Sequence, residues 1–250
     1  MLTSPLIHNG PVFYDNDDVF ATYVAMRQRP GNANDTLEKP VFDALLGDVR
    51  GLRVLDLGCG DASFGRELLA KGAIAYVGIE GSVKMATQAQ QTLAGTTGQV
   101  IQSSMESWHY PPHCFDCVTS RLAFHYIDDL AAVFAKVYGA LVAGGRLIFS
   151  VEHPVITSCN VARPDGTGKR AGWLVDDYFV SGPRIVKWMN GEVVKMHRTL
   201  EEYFLLLQRT GFAVETLRES CPQREYFADE AEYQRRQRIP LLLFLSGRKA

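Results

Sequence analysis

The residues best placed to do chemistry open with RVLDLGCGDASFG, residues 53 to 65. An apolar run enters Gly58 and Gly60, one residue apart, and Asp61 follows at once. A dinucleotide-binding turn asks for G-x-G-x-x-G, so that a helix N-terminus can receive a pyrophosphate. Ser63 stands where the third glycine would be, and the carboxylate of Asp61 sits in the turn itself. Within about 4 Å of a phosphate it would cost several kcal/mol at intermediate dielectric. No G-K-[ST] follows, which excludes a P-loop. The turn therefore predicts a nucleoside without phosphates, in a cradle that accepts positive charge. Glu80 ends the next strand, 24 residues after Asp56, where a carboxylate can accept both ribose hydroxyls. S-Adenosylmethionine, an adenosine joined to a sulfonium cation and an amino acid, meets these conditions.

Three histidines are candidates for proton removal from an acceptor. His125 follows a strand in LAFHYI, His153 follows another in VEHPV, and His197 precedes a late helix in KMHRT. Each has a structural alternative: His125 as cavity wall, His153 as a brace for its loop, His197 as a contact of the helix start. Nothing in their spacing fixes a metal geometry, so no metal is expected. Arg27, with Asn32 and Asn34 beyond it, and Arg121 are candidates for the cofactor carboxylate. Tyr14 and Tyr23 are placed to line a lid or to pack in a core. Cys59, Cys114, Cys117, Cys159 and Cys221 have no framework spacing, which predicts free thiols and a reducing compartment. The C-x-x-C of Cys114 and Cys117 has no second pair to complete a zinc site.

The elements that must position these residues alternate regularly. Apolar strands are predicted at 53–58, 75–80, 99–104, from 115, and at 144–154, with helices between them. Helices are also predicted over 15–29, ended by Pro30-Gly31, and over 37–46, with Asp35 or Thr36 as its cap. This is the pattern of an α/β protein with a doubly wound, Rossmann-like sheet, helices on both faces and a ligand at the strand tips. Between 155 and 196 the rhythm breaks into a segment rich in Gly, Pro, Asp and Trp. That segment reads as an insertion or lid, with a hairpin over 184–196 turning at Asn190-Gly191. Trp173, Tyr178, Phe179 and Trp188 within it suit a planar or apolar acceptor, or a local core. Helix resumes at 199–212, and strands follow at 213–220 and 239–248.

The 250 residues are 46% hydrophobic and 22% charged, the balance of an ordinary globular chain. A formal net charge of −2 leaves no general footprint for nucleic acid or an anionic membrane. No apolar run approaches the roughly 20 residues of a spanning helix, and the start lacks a signal-peptide pattern. The run RRQR at 235–238 reads as a solvated helix face.

Taken in order, VLDLGCGDASFG, GIEGS, FDCVTSRLAFHYI and GGRLIFS resemble the class I S-adenosylmethionine-dependent methyltransferases over about residues 50 to 150. The resemblance implies a seven-stranded sheet whose last strand is antiparallel and lies between the fifth and sixth. It implies Asp56, Gly58, Cys59 and Gly60 at the methionine moiety and turn, and Glu80 at the ribose. Gly81, Ser82 and Met85 would surround ribose and adenine. Where the family commonly has an Asp near the adenine amino group stands Ser104, followed by Met105 and Glu106. Ala62 replaces the third glycine of the family's turn.

The expected organisation is one methyltransferase domain. Residues 1–50 form a helical cap, 51–154 the cofactor-binding core, 155–196 an acceptor-site insertion and 197–250 the closing helices and strands. The expected function is cytoplasmic methyl transfer to an oxygen or nitrogen of a small-molecule acceptor. The alternatives are a tRNA or RNA-base methyltransferase and a noncatalytic regulator that binds the same cofactor. The acceptor and the oligomeric state are left open.

Overall fold

The computed structural model describes residues 7–27, 29, 31–158, 162–164 and 170–250. Cys159 and Pro30 lie outside them. The chain begins with strand β1 (Ile7–Asn9), a 3₁₀ turn over Gly10–Asp15 and helix α1 (Asp17–Arg27). A π-helical turn, Asn34–Glu38, runs directly into α2 (Lys39–Leu46). The alternating core follows as β2 (Arg53–Leu57), α3 (Ser63–Ala70), β3 (Ala75–Glu80), α4 (Val83–Thr92) and β4 (Gln99–Gln102). It continues as β5 (Phe115–Arg121), α5 (Leu130–Ala140) and β6 (Leu141–Glu152). After the short α6 (Pro154–Thr157) come β7 (Ala162–Pro164), β8 (Arg170–Trp173), β9 (Gly182–Trp188) and β10 (Gly191–His197). Then α7 (Leu200–Thr210), β11 (Phe212–Glu219), α8 (Glu230–Arg236) and β12 (Leu242–Lys249) close the chain.

The seven-stranded sheet has the order β11-β12-β6-β5-β2-β3-β4, with β12 antiparallel to both of its neighbours and the other pairs parallel. This is the expected arrangement. Alternate side chains of each strand go to opposite faces, and each face has its own apolar core. Leu55, Val118, Leu147 and Leu245 join α5 and α7 around Phe134 and Phe149. Their neighbours Val54, Cys117, Ile148 and Phe244 join α2 and α3 around Phe42 and Leu68. Chain order reverses between β2 and β5, and such a switch point opens a crevice at the strand tips.

Three local expectations are corrected. The side chain of Asn32, not Asp35 or Thr36, starts the second helix: its Oδ1 accepts the Asp35 N–H at 3.1 Å, and its main-chain oxygen accepts the Thr36 N–H. The N-terminal segment is also not wholly helical, because β1 pairs in parallel with β10 in a separate sheet of order β1-β10-β9. The expected hairpin is present, but its turn is shifted by one residue. Gly191 pairs with Trp188, so Met189 and Asn190 form the loop, with Met189 at φ +52°. Gly191 is required for packing instead, since a Cβ there would lie 2.9 Å from the Phe13 ring.

Candidate active site

The tip of β2 turns on Gly58 (φ +74°) and Gly60 (φ +59°), where side chains are strained. A Cβ on Gly58 would also sit 2.5 Å from the Ala123 Cβ. The Gly58 and Cys59 N–H groups both donate to the Ile79 carbonyl, at 2.8 and 3.1 Å, which pins the turn to β3. The Gly60 N–H donates to Glu80 Oε2 at 2.9 Å, and the Ser82 N–H donates to Glu80 Oε1 at the same distance. Each carboxylate oxygen has further acceptor capacity. Burial pushes the Glu80 carboxyl up to about 7 against the opposing pull of these N–H groups.

Asp61 accepts the Ser63 N–H at 3.0 Å, so the carboxylate itself supplies the negative charge at the start of α3. A phosphate would compete with it for that position. Ala62 adopts φ +54°, the left-handed region that the missing glycine would favour.

A cavity of about 1060 Å³ opens at this edge of the sheet. Gly58, Gly60, Glu80, Gly81 and Met85 line one end, joined by Ser104, Met105 and Glu106 from the loop after β4. Four of the expected residues stand behind this wall. Asp56 is buried and accepts from the Tyr76 hydroxyl (2.8 Å) and the Thr119 hydroxyl (2.9 Å). Cys59 packs over Gly78, where a Cβ would lie 2.6 Å from its Sγ. Ser82 caps α4 and donates its hydroxyl to Asp15 Oδ1 at 2.6 Å. Arg27 bonds Asn32 Oδ1 at 3.1 Å and approaches Asp35 at 3.7 Å, so it organises the turn whose Asn32 and Asn34 reach the cavity.

Arg121 does line the cavity, but its guanidinium is matched by the fully buried Glu38 and lies 4.5 Å from the Phe64 ring centroid. Ser150 donates to the same carboxylate at 2.8 Å. Arg121 therefore acts as one half of a buried pair under the β5 tip.

The three histidines are not brought together. His153 accepts the Val155 N–H through Nδ1 and meets Glu219 through Nε2 at 2.9 Å, capping α6 behind the cavity. His197 engages the Thr157 hydroxyl (2.6 Å) and the Tyr178 carbonyl (2.9 Å), which occupies both ring nitrogens. Burial holds both imidazoles below the usual histidine range. Each thus has both ring nitrogens partnered, the geometry of a brace, the alternative for each. Only His125 borders the cavity. Its Nδ1 accepts the Glu152 N–H at 3.3 Å, so the neutral ring carries its proton on Nε2. Burial lowers its pKa to about 3. His125 is thus neutral, with its Nε2–H free to donate.

The far end of the cavity is aromatic. Tyr14 and Tyr126 share a hydrogen bond of 3.1 Å between their hydroxyls, with Tyr23 packed edge-on against Tyr14. Trp173 and Trp188 of the insertion complete the wall, while Phe179 is 87% exposed and Tyr178 packs on His197. Glu152 and Lys195, an ion pair at 2.5 Å, also line this end. The sequence reading missed both, together with Tyr126. Lys195 is unremarkable in its strand until the hairpin folds over the sheet edge. Cys59, Cys114, Cys117 and Cys221 are free thiols.

The family described as a methyltransferase domain matches residues 55–149. An uncharacterised protein of Haemophilus influenzae is 30% identical over 257 aligned residues, covering 97% of this chain and 99% of its own. An S-adenosylmethionine-dependent methyltransferase of Mesorhizobium loti is 35% identical in structural alignment, with a TM-score of 0.77 over 85% of this chain and 97% of its own. A putative one of Listeria monocytogenes is 32% identical, with a TM-score of 0.78 over 85% and 96%. The chain belongs to the class I S-adenosylmethionine-dependent methyltransferases. It is an enzyme of that class, and S-adenosylmethionine is its cofactor. The residues fit that group: the Gly58 surface has no room for a side chain, and the Glu80 carboxylate is fixed with acceptor capacity to spare.

Proposed function

We propose that the chain transfers a methyl group to an oxygen or nitrogen of a small metabolite, in the cytoplasm. The enclosure of the cavity's far end carries this reading. Strand β10 and the 3₁₀ turn roof it, and Asn190 Nδ2 on the hairpin donates to the Thr22 hydroxyl on α1 at 3.0 Å. A cavity covered in part on this side suits a small molecule. Here 1–50 acts as cap and 155–196 as insertion on one methyltransferase domain.

In this reading Glu80 holds the ribose hydroxyls, Gly58 and Gly60 let the backbone approach the methionine part, and Met85 with Ser104–Glu106 borders the adenine. When bound, S-adenosylmethionine supplies an electrophilic methyl on a sulfonium. The chain's part is to orient the acceptor in line with it. Neutral His125 orients the acceptor by donating from Nε2, and the acceptor atom reaches the site already deprotonated, as a free amine or an oxyanion. The test is transfer of labelled methyl from S-adenosylmethionine into a metabolite extract and into bulk tRNA. Label in the small-molecule fraction is expected. Label confined to tRNA, with a steep salt dependence, would replace this reading by the RNA alternative.

A further inference from the structure

We infer that Lys195 is the specificity-determining residue of the acceptor end, and that it reads an acidic group, a carboxylate or a phosphate, on the acceptor. The inference rests on the small-molecule reading above. Lys195 is 2% exposed, yet it lines the cavity. Its ammonium lies 4.8 Å from the Trp188 ring centroid and 5.8 Å from that of Tyr126. Glu152 Oε1 takes one of its three donors. A buried ion pair adds little to stability, because desolvation offsets most of the attraction. Its position on a ligand wall is better explained by recognition.

The charges of the wall say which sign is recognised. At the cofactor end stand Glu80 and Glu106. Toward the insertion and α8 the wall carries Lys187, Lys195, Arg235 and Arg236 against Glu152 and Glu192. Arg235 and Arg236 both pair with Glu232, and the lining of that end holds more basic than acidic side chains. The cavity is therefore bipolar: its acidic end suits a sulfonium, and its basic end an anion. Trp173 and Trp188 also belong to this wall, and their buried indole N–H groups have no partner. The oxygens of an acidic group would answer the basic side chains of this wall.

The test uses the protein saturated with S-adenosylhomocysteine and follows tryptophan fluorescence, because Trp188 borders Lys195. Benzoate, phenyl phosphate and uncharged benzamide are the probes. Benzoate or phenyl phosphate is expected to bind at least tenfold more tightly than benzamide, and the stronger of the two tells carboxylate from phosphate. Lys195→Met should abolish that preference, Lys195→Arg should restore most of it, and Glu152→Gln should strengthen it. Equal binding of charged and neutral probes, no binding of any, or a preference that survives Lys195→Met would each overturn the inference. S-Adenosylhomocysteine affinity, measured in the same variants, should stay within about twofold of wild type. Failure of the wild-type protein to bind it would instead count against the small-molecule methyltransferase reading.

Discussion

Glu80 serves two purposes with one carboxylate, because the oxygens that tie Gly60 to Ser82 also face the cavity. Glu80→Ala should remove both, weakening S-adenosylhomocysteine binding by about 3 kcal/mol, roughly a hundredfold. An unchanged Kd by calorimetry would contradict the assignment to the ribose. The pH dependence follows from the raised carboxyl. Free Glu80 is protonated below about 7, whereas hydroxyl donors of a bound ribose favour its charged form. Binding should therefore release a proton below pH 7, and affinity should fall by up to about tenfold per pH unit as pH drops from 7. Above pH 7 it should be flat. Calorimetry at pH 6 in buffers of different ionisation enthalpy reads the released proton directly, and Glu80→Gln should abolish it. His125, neutral down to about 3, adds no limb to the profile between pH 5 and 8. For the folded protein the sign is opposite: a carboxyl raised by burial adds stability below its unfolded value near 4.5, and that contribution is lost by pH 7.

Local order explains what could be read from the chain in advance. Strands β2, β3 and β6 are apolar runs closed by glycines and acids, and each following helix begins within a few residues. Such signals are contained in short windows. Helix α7 is similar: Thr199 and Glu202 form a reciprocal cap, the Glu202 N–H donating to Thr199 Oγ1 at 3.1 Å and the Thr199 N–H to Glu202 Oε2 at 2.6 Å. Thr199→Ala should cost about 1 kcal/mol and lower Tm by about 2–4 °C in thermal unfolding. Thr199→Ser should recover most of that, with cofactor affinity unchanged in both. What escaped the sequence reading depends on distant partners. β1 exists because β10 offers it an edge more than 180 residues later, and the packing of Gly191 depends on Phe13, far earlier in the chain. The roles of His153 and His197 likewise follow from Glu219 and Thr157, which no spacing rule associates with them.

The chain's beginning joins the two ends of the cavity. Pro11 packs on Gly81, where a Cβ would lie 2.4 Å away, and Asp15 accepts from Ser82 at the cofactor loop. Phe13 packs on Gly191, Tyr14 bonds Tyr126, and β1 pairs with β10 at the acceptor end. A single segment thus touches the loop after β3 and the aromatic end of the cavity, while the seven-stranded sheet beneath stands on its own two cores. Residues 10–23 and 182–197 should therefore open together as one unit of lower stability than the β2–β6 sheet. Gly191→Ala places a methyl 2.9 Å from the Phe13 ring, an overpacking that costs about 1–3 kcal/mol. Amide hydrogen exchange should then quicken by roughly ten- to a hundredfold in both segments, with β2, β5 and β6 unaffected. Saturating S-adenosylhomocysteine should slow exchange in both segments, because it contacts the loop that Pro11 and Asp15 hold. Faster exchange in the hairpin alone would show that the cap and the insertion move separately, and that cofactor binding does not prepare the acceptor pocket.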